Sequence, residues 1–171
     1  MIGRRRAIHL ALAAALSAAG LLPSSVASAQ QSFQRFFPLL VDLQGWKGNK
    51  PDGISMEMPD NNKVVTATRE YERGEARLNA QVIIGSAAQG ALEATNPGVK
   101  IETSDARMST SIIDGLQVTR TFTISDKSGS ILVALGTSAM FTLLFDGVAE
   151  EEALMLARKF NWKAIQATIL Q

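Results

Sequence analysis

The chain has 171 residues, no cysteine and a single histidine, and its 17 basic and 16 acidic residues leave it close to neutral. Without cysteine there can be no disulfide framework, thiol nucleophile or lipid anchor on an N-terminal cysteine, and a near-neutral chain lacking a basic run has no footprint for nucleic acid. The lone histidine, His9, falls in the opening segment, so the rest of the chain has no route to serine–histidine triads, histidine general bases or histidine-ligated metals.

Residues 1–29 have the layout of an export signal. Arg4, Arg5 and Arg6 precede an apolar run from Ala7 to Leu22, and Val26-Ala27-Ser28-Ala29 places small residues where a signal peptidase reads. Cleavage is expected before Gln30. The alternative is a retained anchor, but a run of about 16 residues is shorter than the roughly 20 a spanning helix needs. Arg5-Arg6 faintly resembles a twin-arginine signal, although its surroundings fit ordinary unfolded export better. Removing 29 residues leaves 142, with fourteen basic and 16 acidic residues and a net charge near −2. That length suits one domain, 30–171, with a single core. The expected location is periplasmic or secreted, with no membrane span once the signal is removed.

From Gln30 to Leu43, Phe33, Phe36, Phe37, Leu39, Leu40 and Leu43 recur near helical spacing and Pro38 interrupts them, which predicts a short helix or kinked lead-in. Turn residues fill 48–53, and Ile54, Met56 and Met58 then alternate with Ser55 and Glu57 as a short strand. The clearest pattern runs from Lys63 to Gly85. Val65, Ala67, Arg69 and Tyr71 share one strand face, a glycine loop spans 72–75, and Ala76, Leu78, Ala80, Val82 and Ile84 share a face of the returning strand.

A short middle helix is expected after Ser86, its candidate cap, stopped by Asn96-Pro97-Gly98. Val99 to Thr103 reads as a possible extra strand. Met108, Thr110 and Ile112 alternate up to Asp114-Gly115, and Val118, Arg120, Phe122 and Ile124 alternate after it, a strong hairpin signal. Strands follow at 131–135 and 139–145. Ala149 to Phe160 predicts a helix with Glu150, Glu151 and Glu152 as a solvated first turn and Arg158 and Lys159 in the last. Its stripe of Leu154, Leu156, Ala157 and Phe160 is expected to cover one sheet face, with a further turn or two carrying Trp162, Ile165 and Ile169.

The predicted fold is α+β: an antiparallel sheet of about six or seven strands flanked by N-terminal, middle and C-terminal helices. This element order resembles the Mog1/PsbP-like α/β sandwich over most of the mature chain. The resemblance implies a fold and transfers no functional residues.

Four residues are candidates for ligand binding. Arg69 and Arg120 fall on apolar strand faces, where two guanidinium forks can cradle an anion, Tyr71 shares the strand face of Arg69, and Trp46 lies close in the chain to Met56 and Met58. The structural alternative is that each arginine reaches past the core edge or pairs with a carboxylate such as Glu70 or Asp114. Met56 and Met58 are a copper(I) alternative, since thioethers suit that ion, set against an ordinary reading as the buried face of a strand. The turn aspartates are explained by turn geometry. No cofactor and no resident metal are expected. The sequence predicts a non-catalytic exported binding or accessory protein with a protein or small-molecule partner in the cell envelope. A carboxylate- and arginine-based hydrolase and a copper(I)-binding protein are the alternatives.

Overall fold

The computed structural model describes residues 32–59 and 62–170, so the expected export segment and its cleavage point lie outside the described residues. Among the described residues there are nine strands: β1 (Lys47–Gly48), β2 (Asp52–Glu57), β3 (Lys63–Arg73), β4 (Ala76–Ile84), β5 (Lys100–Glu102), β6 (Ala106–Ile113), β7 (Leu116–Thr123), β8 (Ser128–Ala134) and β9 (Ala139–Asp146). Accompanying them are the α-helices α1 (Ser86–Glu93), α2 (Glu150–Ala157) and α3 (Trp162–Ile169). The strands form one sheet in the order β1-β3-β4-β9-β8-β7-β6-β5, and β2 pairs with β3 on the same edge as β1. Every pairing is antiparallel. The sheet therefore has more strands than the six or seven expected. One of them, β1, is only two residues long, too short for alternation to show.

Period-two alternation sorts the sheet into two faces. One carries Ala67 and Tyr71, Leu78, Ala80 and Val82, Phe141, Leu143 and Phe145, Ile131 and Val133, and Val118 and Phe122, all buried in a single cluster. Phe36, Leu40, Leu43 and Trp46 from the lead-in segment join that cluster, as do Ala153, Ala157, Phe160, Trp162 and Ile165 from the C-terminal helices. Helix α1 packs against β3, β4 and β9 through the fully buried Ala88. On the second face Val64, Met140 and Thr142 are buried, and the buried Thr110 and Thr119 join hydroxyls at 3.0 Å across β6 and β7. Elsewhere that face is open, and Leu144 on β9 stands 44% exposed.

Both hairpin turns follow from their residues. Arg73 pairs with Ala76 around Gly74, whose φ is +61°, and Ile113 pairs with Leu116 around Asp114 and Gly115, at φ +52° and +78°. A type I′ turn demands positive φ at both central positions, which Asp114-Gly115 supplies, and a type II′ turn only at the first, which Gly74 supplies.

The lead-in is the short, interrupted helix expected: 32–34 is helical and a 3-10 turn follows at Phe37–Leu39, with Pro38 inside it. The other helices depart from expectation in two ways. Gly85 occupies the N-cap of α1, and Ser86 is the first helical residue rather than the cap. The C-terminal helix is two helices, because α2 ends at Ala157 and the Asn161 side chain accepts the Ala164 N–H at 3.0 Å, starting α3 afresh. The buried stripe of α2 is Ala153 and Ala157, with Leu154 and Leu156 only partly covered. Coverage of that sheet face is shared by α2, α3 and the lead-in, which leaves no single long helix to do it. Among the described residues no helix is long and apolar enough to cross a membrane.

Candidate functional site

Strand register builds a charged cleft at the β5 end of the sheet. Lys100 lies opposite Ser109, and Ser109 opposite Arg120; in the next row Glu102 lies opposite Arg107, and Arg107 opposite Phe122. Residues directly opposite on neighbouring strands project to the same side, so the three cations share one face. The first turn of α2 brings Glu150 and Glu151 against them, enclosing a cleft of about 390 Å³.

The ion pairs in this cleft are loose. Arg120 Nη1 stands 3.7 Å from Glu150 Oε1 and 3.5 Å from Glu151 Oε1, and Arg107 Nε stands 3.9 Å from Glu150 Oε2. None of the three contacts makes a hydrogen bond, which for N–H to oxygen closes near 2.9 Å. Arg120 Nε is buried and has no acceptor among the described residues. The Arg107 guanidinium lies 5.5 Å from the centroid of the Phe122 ring. Arg120 presents a largely covered fork whose donors are incompletely used, the arrangement that suits a carboxylate or phosphate.

The structure separates the other sequence candidates from Arg120. Arg69 and Tyr71 lie on β3, four strand steps away, which at about 4.8 Å per step is roughly 19 Å. The two arginines form no common cradle. Arg69 is a strap on the lead-in: Nη1 donates to Leu40 O at 2.7 Å, Nε to Asn49 O at 2.9 Å, and Nη2 to the Asp42 carboxylate. Gly48 leaves room for it, since a Cβ there would stand 2.8 Å from Nη2. Trp46 is buried, with the Arg73 guanidinium 4.2 Å from its ring centroid, and Arg73 in turn pairs with Glu152 at 2.7 Å.

The Tyr71 hydroxyl donates to Val41 O at 2.8 Å, and burial pushes its pKa from 10.0 up to about 12, with the nearby Arg69 offsetting part of the rise. The folded state thus holds a proton that the unfolded chain releases at lower pH. This stability is complete below about pH 10 and lost as pH rises toward 12, a total of about 3 kcal/mol for a two-unit shift. Tyr71 is the only tyrosine in the chain, so titration of tyrosinate absorbance reads it directly. The expected midpoint is near 12, and one near 10 contradicts this environment.

Three expectations about charge and exposure need correction. Arg120 pairs with Glu150 and Glu151, whereas Asp114 goes to Arg158 at 3.2 Å and Arg69 takes Asp42 in place of Glu70. The glutamates opening α2 form a bridge to arginines on β3, β6 and β7 and are not simply solvated. Met56 and Met58 are 43% and 45% exposed, because β2 is an edge strand, so they are not core fillers. Among the described residues no group of three or more His, Cys, Asp or Glu side chains could hold a metal ion.

Sequence reading missed Arg107, Ser109 and Lys100. Apolar alternation through Met108, Thr110 and Ile112 drew attention to the opposite face of β6, where Ile112 is in fact 62% exposed. Two further depressions exist, one of about 410 Å³ at the α2–α3 turn beside Arg158, Lys159 and Lys163, the other of about 270 Å³ beside Arg77 and Leu144. Comparison with known proteins finds no matching family model, no similar curated protein and no matching solved structure.

Proposed function

We propose that the mature chain is an exported, non-catalytic binding protein of the cell envelope that holds a small oxyanion-bearing ligand in the Lys100, Arg107 and Arg120 cleft. One observation carries the reading: the Arg120 guanidinium has its Nε buried without an acceptor among the described residues and its carboxylate neighbours beyond hydrogen-bond reach. A ligand carboxylate or phosphate would satisfy those donors, with Ser109 and Lys100 on the same face to complete the contact. The signal-like opening segment supports a periplasmic or secreted location.

Calorimetry of residues 30–171 against phosphate, acetate and citrate tests the reading. At least one of these probes should bind, and Arg120→Gln should weaken it by about ten- to a hundredfold, the 1.5 to 3 kcal/mol of a charged hydrogen bond. Lys159→Ala, outside the cleft, should leave binding unchanged. Absence of heat with all three probes, or equal affinity in the Arg120→Gln chain, overturns the proposal.

A further inference from the structure

The two edges of the sheet differ. One ends in β5, three residues carrying Lys100 and Glu102, short and charged as exposed edges usually are. The other presents β2, six residues that pair only with β3 among the described residues, with Ile54 at 51%, Met56 at 43% and Met58 at 45% exposure in a row along it. A row of apolar side chains on an unpaired edge is a template for another strand.

The sequence of this edge is symmetric about Ser55. Pro51 and Pro59, which cannot donate to a ladder, bound a seven-residue window with Ser55 at its middle. We infer that β2 pairs antiparallel with β2 of a second copy across a two-fold axis through Ser55, giving one continuous sheet through both molecules. A two-fold perpendicular to the sheet keeps each face on its own side, so only registers centred on a residue qualify. Centring on Ile54 sets Pro51 opposite Glu57, and centring on Met56 sets Pro59 opposite Gly53, so each puts a proline inside the ladder. Centring on Ser55 sets Ile54 opposite Met56 of the second copy, Gly53 opposite Glu57 and Asp52 opposite Met58, with no like charges facing.

Ser55 also carries an unused hydroxyl: its Oγ has no hydrogen-bond partner among the described residues and is covered within its own chain, so using it across the axis requires the side chain to rotate. On the two-fold it faces its own counterpart, with Cβ atoms about 4.5 to 5.5 Å apart, and a χ1 rotation brings the two hydroxyls into bonding reach. The contact is closed and self-complementary, whereas pairing β2 with the β5 edge of another copy would propagate without end.

Sedimentation of residues 30–171 should show a dimer that dissociates on dilution, since a single strand pair is smaller than a standard interface. Met56→Lys, at an exposed position, should weaken it at least about tenfold without moving the thermal melt of the dilute, dissociated chain. The chain has no cysteine of its own, so single substitutions report register. Under mild oxidation Ser55→Cys should form disulfide-linked dimers faster than Ile54→Cys or Met56→Cys, and the last two should link to each other when mixed. A monomer up to about 0.5 mM, a dimer unaffected by Met56→Lys, equal cross-linking at all three positions, or cross-linking of Ser55→Cys to a different envelope protein would each overturn the second-copy assignment.

Discussion

Phe160→Ala is expected to destabilise the protein by about 3 to 5 kcal/mol, the range for truncating a fully buried aromatic residue. Phe160 sits between α2 and α3 at 1% exposure, its ring 5.0 Å from that of Phe141 on β9 and 6.1 Å, edge-on, from that of Tyr71 on β3. It therefore joins the helical layer to two strands on either side of β4, and removing it opens a cavity that rigid neighbours cannot fill. Total stability for a domain of this size is of the order of 5 to 15 kcal/mol, so the change should shift a urea midpoint plainly. Glu151→Ala is the control. Its side chain is 80% exposed and its contact with Arg120 is long, so the expected shift is below about 1 kcal/mol. Equal, negligible shifts for the two would mean that the helical layer is not docked as described.

Arg69→Ala is expected to cost about 2 to 4 kcal/mol, because it strips three acceptors at once. Leu40 O, Asn49 O and the Asp42 carboxylate all take a donor from this one guanidinium, and Tyr71 lies beneath it at 5.2 Å. Asp42→Ala should cost less than about 1 kcal/mol, since the Asp42 side chain is 91% exposed and water replaces its bond. Chemical denaturation of both chains separates the two explanations: a strap on backbone carbonyls predicts unequal losses, a simple ion pair predicts similar ones. Hydrogen exchange should also show faster opening of 40–49 in the Arg69→Ala chain.

Local rules made much of the fold readable. Asp114-Gly115 marked a turn, and the alternation of Val65, Ala67 and Tyr71 against Leu78, Ala80 and Val82 marked a core face, because both depend on residues within one hairpin. Alternation does not say which strand ends on an edge, so Met56 and Met58 read as core although β2 has a neighbour on one side only. The partners of Arg69 and Arg120 were equally hidden. Asp42 lies 27 residues from Arg69 in the chain, and Glu150 lies on a helix that packs on β8 and β9 and follows the whole sheet in sequence. An arginine on an apolar face signals that some partner exists, but its identity is a property of the topology. The split between α2 and α3 was legible in principle, since Asn161 is a good cap, but the apolar run through Phe160 and Trp162 masked it.

The position of β9 has a consequence for how the molecule comes together. Strands β5 to β8 are joined by successive short connections, and β3 pairs with β4 through a hairpin, yet among the described residues the two ladders join only through β9, which pairs with β4 on one side and β8 on the other. Emerging N-terminus first from the export channel that its proposed location implies, the chain delivers both meanders before the strand that unites them. Until residue 139 emerges, β4 and β8 each present an open ladder, the kind of edge that recruits the wrong neighbour. The join spans more than fifty residues of intervening chain between Ile84 and Ala139, so loop closure sets its pace and local propensity contributes little. The last strand of the sheet thus acts as a keystone: everything N-terminal to it can take shape early, and nothing is locked until it arrives.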